Sequence, residues 1–126
     1  MTILAQNIKH ANEIGIGDKP PVLAPDEVNY YDWKDRFIRF IRAKDIKIWF
    51  CIQTGLGAHA PLSSLTYFQF HGLTEEDKQM YGAEEKAITY LTNALPKSIF
   101  HTFGKKETSK DLCDSVIARF EGNATF

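Results

Sequence analysis

Tyr30, Trp33, Phe37, Phe40 and Ile41 stand at i, i+3, i+7, i+10 and i+11 in the stretch NYYDWKDRFIRFI. That recurrence places all five on one side of an α-helix, and so aromatic a face must be covered by other elements. The chain therefore needs at least one further apolar layer packed against this helix. The remaining positions are mainly charged. Asp32 with Arg36 and Asp35 with Arg39 stand four apart, acid first, the favourable order on a helix. The basic residues are thus partly neutralised by their own helix, whereas a nucleic-acid footprint needs positive charge free to displace counterions from phosphates. The stretch reads as a core face backed by a solvated one.

The covering layers are also helical in pattern. Asn29 is a plausible N-cap for the first helix, which the spacing carries to about Ala43. A second helix over Asp45 to Thr54 offers Ile48, Trp49 and Ile52 before Gly55 closes it. In LTYFQFHG, the residues Leu65, Tyr67, Phe68 and Phe70 fit either a short strand or a cover over the helices. A long helix follows, capped by Thr74, with acids in its first turn and an apolar stripe of Met80, Ala83, Ala87, Leu91 and Leu95. Gly82 inside it costs about 1 kcal/mol relative to alanine, so another helix is expected to pack closely there. PKSIFHTF reads as a short helix opened by Pro96 and stopped by Gly104. The last helix has Thr108 as cap, Leu112, Cys113, Val116, Ile117 and Phe120 on one face, and Gly122 as terminator. The expectation is an all-α compact bundle of about five helices over residues 20–126, with at most one hairpin. Residues 1–19 are expected to form a flexible, extended N-terminal arm, because Gly15, Gly17 and the Pro20-Pro21 pair end any short helix through Leu4, Ile8, Ala11 and Ile14.

Length and charge set the bounds of function. At 126 residues and 44% hydrophobic, the chain suffices for one domain with a core. Fifteen Lys and Arg against sixteen Asp and Glu provide no overall field that would select nucleic acid or anionic lipid. Cys51 and Cys113 are far apart and set among apolar residues, which fits reduced, buried thiols rather than a disulfide scaffold. With no run of about eighteen apolar residues and no cleavable leader pattern, a cytoplasmic protein without a membrane partner is expected.

The side chains that carry chemistry lack the required spacing. His10, His59, His71 and His101 with the two cysteines form no metal-ligand pattern, and no metal or other cofactor is expected. GLGAHA lacks the lysine and the preceding strand of a phosphate loop. Cys113 falls on an apolar stripe, and Glu75, Glu76 and Asp77 are explained by the helix macrodipole. No catalytic residue is assigned, and the chain is expected not to be an enzyme.

Taken in order, these landmarks resemble the capsid region of the Gag polyprotein of plant copia-type LTR retrotransposons. A proline-containing segment precedes an NY..W..R helix, here Pro20, Pro21 and Leu23, then Asn29, Tyr30, Trp33, Lys34 and Arg36. A D...W..I..G element is matched by Asp45, Trp49, Ile52 and Gly55. The helix with acids near its start and a closing A...L..AL is matched by Thr74, Glu76, Asp77, Ala87, Leu91, Ala94 and Leu95. The closing TAKE.WD.L...YEG element is matched by Thr108, Lys110, Asp111, Asp114, Phe120, Glu121 and Gly122. The likeness spans roughly Gly15 to Asn123. Two positions depart from it: Leu73 and Cys113 stand where relatives often have tryptophan. A zinc knuckle and the second helical half of the capsid region are not seen, so the chain resembles an N-terminal capsid lobe.

The resemblance implies a structural module of a transposable element that self-associates into capsid-like particles, with further copies of itself as partner. Tyr30, Trp33, Phe37, Trp49, Leu91, Leu95 and Phe120 would then be its structural core signature. Tyr67, Phe68 and Phe70 are candidate interaction residues, since no helical stripe accounts for them, and the N-terminal arm is a further candidate. Weak contacts are expected: a monomer or weak homo-oligomer in isolation. The first alternative is a domesticated Gag-derived helical adaptor that binds a host peptide or protein. A weaker alternative is RNA binding through Lys34, Arg36, Arg39, Arg42, Lys44 and Lys47.

Overall fold

The computed structural model describes residues 19–24 and 29–122. Of the arm expected over residues 1–19, all but Lys19 lies outside these, as do residues 25–28 and 123–126. The described chain is all-α, without strands. In order it forms α1 (Tyr30–Lys44), α2 (Ile46–Thr54), a 3-10 turn (Leu62–Ser64), α3 (Tyr67–His71), α4 (Glu75–Ala94), α5 (Lys97–Phe100), a second 3-10 turn (His101–Phe103) and α6 (Ser109–Glu121).

On α1 the aromatic spacing translates directly into burial. Tyr30, Trp33, Phe37 and Ile41 are buried, Phe40 is half-buried, and the Trp33 and Phe37 rings stack at 5.2 Å. The Asp32–Arg36 and Asp35–Arg39 pairs form on the opposite, exposed face at 2.9 and 3.1 Å. Asp45 ends α1 and starts α2, accepting the Lys47 amide on its side chain at 2.9 Å. α2 buries Ile48, Trp49, Cys51 and Ile52 and packs against α1, α4 and α6.

Side-chain caps set the starts of the later helices. Thr74 accepts the Asp77 amide and Thr108 the Asp111 amide, both at 3.1 Å, at the two starts the sequence indicates. α4 then buries Ala83, Ala87, Leu91 and Ala94, and α6 buries Leu112, Cys113, Val116 and Ile117. Leu95, just past α4, is also buried. α6 stops at Gly122, whose left-handed backbone (φ 79°, ψ 6°) suits a residue without Cβ.

Three local expectations are corrected. Asn29 stands at the N-cap position of α1 but makes no side-chain cap: its side-chain oxygen accepts the Ala24 amide at 2.8 Å and so fixes the chain entering the helix. The strand considered for Leu65 to Phe70 is replaced by α3, because Thr66 and Gln69 form a reciprocal capping box. Gly82 is exposed, and a Cβ there would meet nothing within 4 Å, so no helix packs on it.

Residues 19–24 lie along the bundle as an extended strap. Leu23 is fully buried and its amide donates to the Ala94 carbonyl at 2.8 Å, while the Trp33 indole donates to the Pro21 carbonyl at 2.9 Å. Trp33 therefore joins core packing to strap anchoring. Trp33→Ala is expected to destabilise the fold by about 3 to 5 kcal/mol. Urea unfolding should register this as a lower midpoint, and an unchanged midpoint would refute it.

Candidate interaction surface

The exposed aromatic surface begins with how the loop before α4 is held down. Tyr81 is buried on α4, and its hydroxyl donates to the Ala60 carbonyl at 2.6 Å. The His59 ring meets Tyr81 edge-on at 6.3 Å, and Phe70 approaches it from α3 at 6.4 Å. Phe70 is thereby half-buried and faces inward. The three candidate interaction residues thus divide: Phe70 fastens α3 to the bundle, while Tyr67 and Phe68 point out with 70% and 83% of their surface exposed. Tyr67 rests on Phe68 at 5.6 Å and on His71 at 4.3 Å, forming a small aromatic knob.

The acids that begin α4 lie next to this knob in the chain, with Glu75 and Glu76 exposed and Asp77 half-buried. Glu75 makes a long contact with Lys78 at 3.5 Å. Ile46 and Phe50, about half exposed on the outer side of α2, and Tyr31 on α1 are the other large exposed apolar residues among those described. Phe50 borders a groove of about 270 Å³ whose edge includes Lys47, Glu76 and Asp77. A larger cleft, of about 340 Å³, opens between Ile88 and Thr92 of α4, Phe100 and His101, the Gly104–Lys106 loop and Leu112 of α6.

The core signature residues are brought together between the helices. Tyr30, Trp33, Phe37, Trp49, Leu91 and Leu95 are buried, and Phe120 is half-buried with its ring stacked on Tyr30 at 4.3 Å. Two polar clamps accompany them that the apolar pattern does not single out. Glu84 of α4 is only 2% exposed and accepts the Ser109 amide at 2.8 Å as well as the Ser109 hydroxyl, which holds the start of α6. Burial raises the Glu84 carboxyl pKa, and the Ser109 hydrogen bonds oppose that rise. Glu121, at the far end of α6, accepts from Lys34 at 2.7 Å and from the Tyr30 hydroxyl. These bonds, Lys34's foremost, lower the Glu121 pKa, while burial pushes the Tyr30 phenol far up.

Every basic residue considered for RNA has an intramolecular partner. Lys34 is bound to Glu121, and Arg36 and Arg39 to their helix acids. Arg42 lies over the Trp49 ring at 4.5 Å, Lys44 over Phe40 at 5.2 Å, and Lys47 donates to Gln79 at 2.7 Å. Among the described residues no group of three His, Cys, Asp or Glu side chains is arranged to hold a metal ion, and no helix is long and apolar enough to cross a membrane. Cys51 and Cys113 are both buried and free. Burial pushes the Cys51 thiol up to about 11 and the Cys113 thiol well above its ordinary value.

Compared with family models, with curated proteins and with solved structures, the chain matches none.

Two outcomes follow from this electrostatic arrangement. A carboxylate whose folded pKa is lowered contributes stability above its unfolded value, and that contribution is lost as pH falls. Glu121→Gln should therefore lower stability at neutral pH and flatten the loss below about pH 4.3, the ordinary glutamate value. Denaturation midpoints over pH 2 to 7 check this (the range spans that value), and parallel profiles for both proteins would contradict it. Cys113 should label with a thiol reagent only after denaturation. Rapid labelling of the native protein, located by peptide mapping, would show an open thiol instead.

Proposed function

We propose that this chain is a structural self-association module of the retrotransposon Gag type, an N-terminal capsid-like lobe with further copies of itself as partner. The observation that carries the reading is the Tyr67–Phe68 knob. A capped turn holds two adjacent aromatic rings outward while its third, Phe70, anchors the turn to Tyr81. Exposed aromatics on a fixed support are what a protein interface uses as anchors.

The Gag resemblance is supported by where its motifs fall. Asn29, Asp45, Thr74 and Thr108 each begin or immediately precede a helix, and Trp33, Trp49, Leu91 and the α6 stripe meet in one core. A lobe of this kind works by shape, and the reading assigns it no catalytic group. Partnered basic residues and a near-neutral net charge count against RNA as the main ligand. The groove beside Phe50 favours a second reading, a helical adaptor for a partner peptide.

Sedimentation of the 126-residue chain over a wide concentration range tests the proposal. Reversible, weak association is expected, because the exposed patches are small against the roughly 1,000 Å² of a stable interface. Changing Tyr67 and Phe68 together to serine should reduce association at least tenfold and leave the melting temperature unchanged. A chain that remains monomeric at every concentration, or a tight closed oligomer at low micromolar concentration, would overturn it.

A further inference from the structure

The knob and the larger cleft lie at opposite ends of α4 and complement one another in both apolar character and charge. The knob immediately precedes α4, whose first residues are Glu75 and Glu76. The cleft is flanked by Ile88 and Thr92, thirteen to seventeen residues further along the same helix. At 1.5 Å per residue the two ends are separated by about 20 to 25 Å along the axis. They are therefore distinct patches that one molecule can use at the same time.

Each supplies what the other lacks. Ile88, Phe100 and Leu112 line a cleft of about 340 Å³, and the exposed Lys105 and Lys106 border it, with the acidic Glu107 next in the chain. That volume lies within the range of about 300 to 1,000 Å³ typical of sites that enclose a ligand. The knob provides exposed aromatic rings, with exposed carboxylates following and Lys78 the nearby basic residue. The groove beside Phe50 is a poorer receptor, because Glu76 and Asp77 on its own edge would repel an acidic partner.

We propose that Tyr67 and Phe68 of one copy enter the cleft between α4, α5 and α6 of a second copy, with Glu75 and Glu76 meeting its Lys105 and Lys106. The inference rests on the self-association reading and adds the surface and its polarity. The contact is head-to-tail, since different patches meet. Each copy therefore keeps one unused knob or cleft, and the assembly grows into a row or closes into a ring. Its ionic rim is exposed, so salt weakens it.

Sedimentation of mixtures tests this. The knob variant carries Tyr67→Ser with Phe68→Ser, and the cleft variant carries Lys105→Glu with Lys106→Glu. All four positions are exposed, so both variants should keep the native melting temperature. Each variant alone should lose association at least tenfold. Mixed, they should form one-to-one pairs and nothing larger, because the mixture retains one intact knob facing one intact cleft. Adding Glu75→Lys and Glu76→Lys to the cleft variant should restore association by reversing both sides of the rim. Wild-type association that survives in the cleft variant, or a mixture that stays monomeric, would overturn the head-to-tail contact and leave self-association standing. A wild-type chain monomeric at every concentration would overturn both.

Discussion

Nine residues of α2 bury four apolar side chains toward α1, α4 and α6, and this short helix is the element on which the bundle closes. Its sequence IKIWFCIQT is too short to be stable alone, so its helicity depends on those three neighbours. They depend on it in turn, because Ile48, Trp49 and Ile52 cover apolar stripes that would otherwise face water. The hydrophobic contribution is of order 1.5 to 3 kcal/mol for each large side chain buried. Such mutual dependence predisposes the domain to fold as one cooperative unit.

Side-chain caps set where α4 and α6 begin, and two polar clamps then tie α6 to its neighbours. Glu84 fixes the start of α6 against α4, while Glu121 fixes its end against Tyr30 and Lys34 of α1. The carboxylates respond oppositely to pH. Glu84, raised by burial, contributes stability that is lost as pH increases through its folded pKa, and Glu121, lowered by its donors, contributes stability that is lost as pH falls.

What could be read from the sequence was what depends on local geometry. The aromatic period of α1, the Thr74 and Thr108 caps and the two i,i+4 ion pairs follow from helix geometry within a few residues. Sequence and structure differ where two local signals compete. Thr66-x-x-Gln69 is a capping-box pattern, yet the aromatic, alternating look of LTYFQFHG suggested a strand. Glu84 occupies the stripe position between Met80 and Ala87, and its charge hid a burial that its spacing indicated. Asn29 has the right side chain for a cap, but the strap's Ala24 amide takes its oxygen instead. The outward turn of Tyr67 and Phe68, and the inward turn of Phe70, depend on a contact with Tyr81 eleven residues away that no local pattern encodes.

The strap over residues 19–24 also gives the domain a mechanical path. Tension applied to the chain ahead of Lys19 meets the Leu23–Ala94 hydrogen bond and the indole of Trp33 before it reaches α1. The end of α4 therefore shares a pull exerted on the N-terminal side. Anything joined there is coupled to the middle of the bundle through a seated apolar residue, and it tugs on the domain as a load rather than trailing from it.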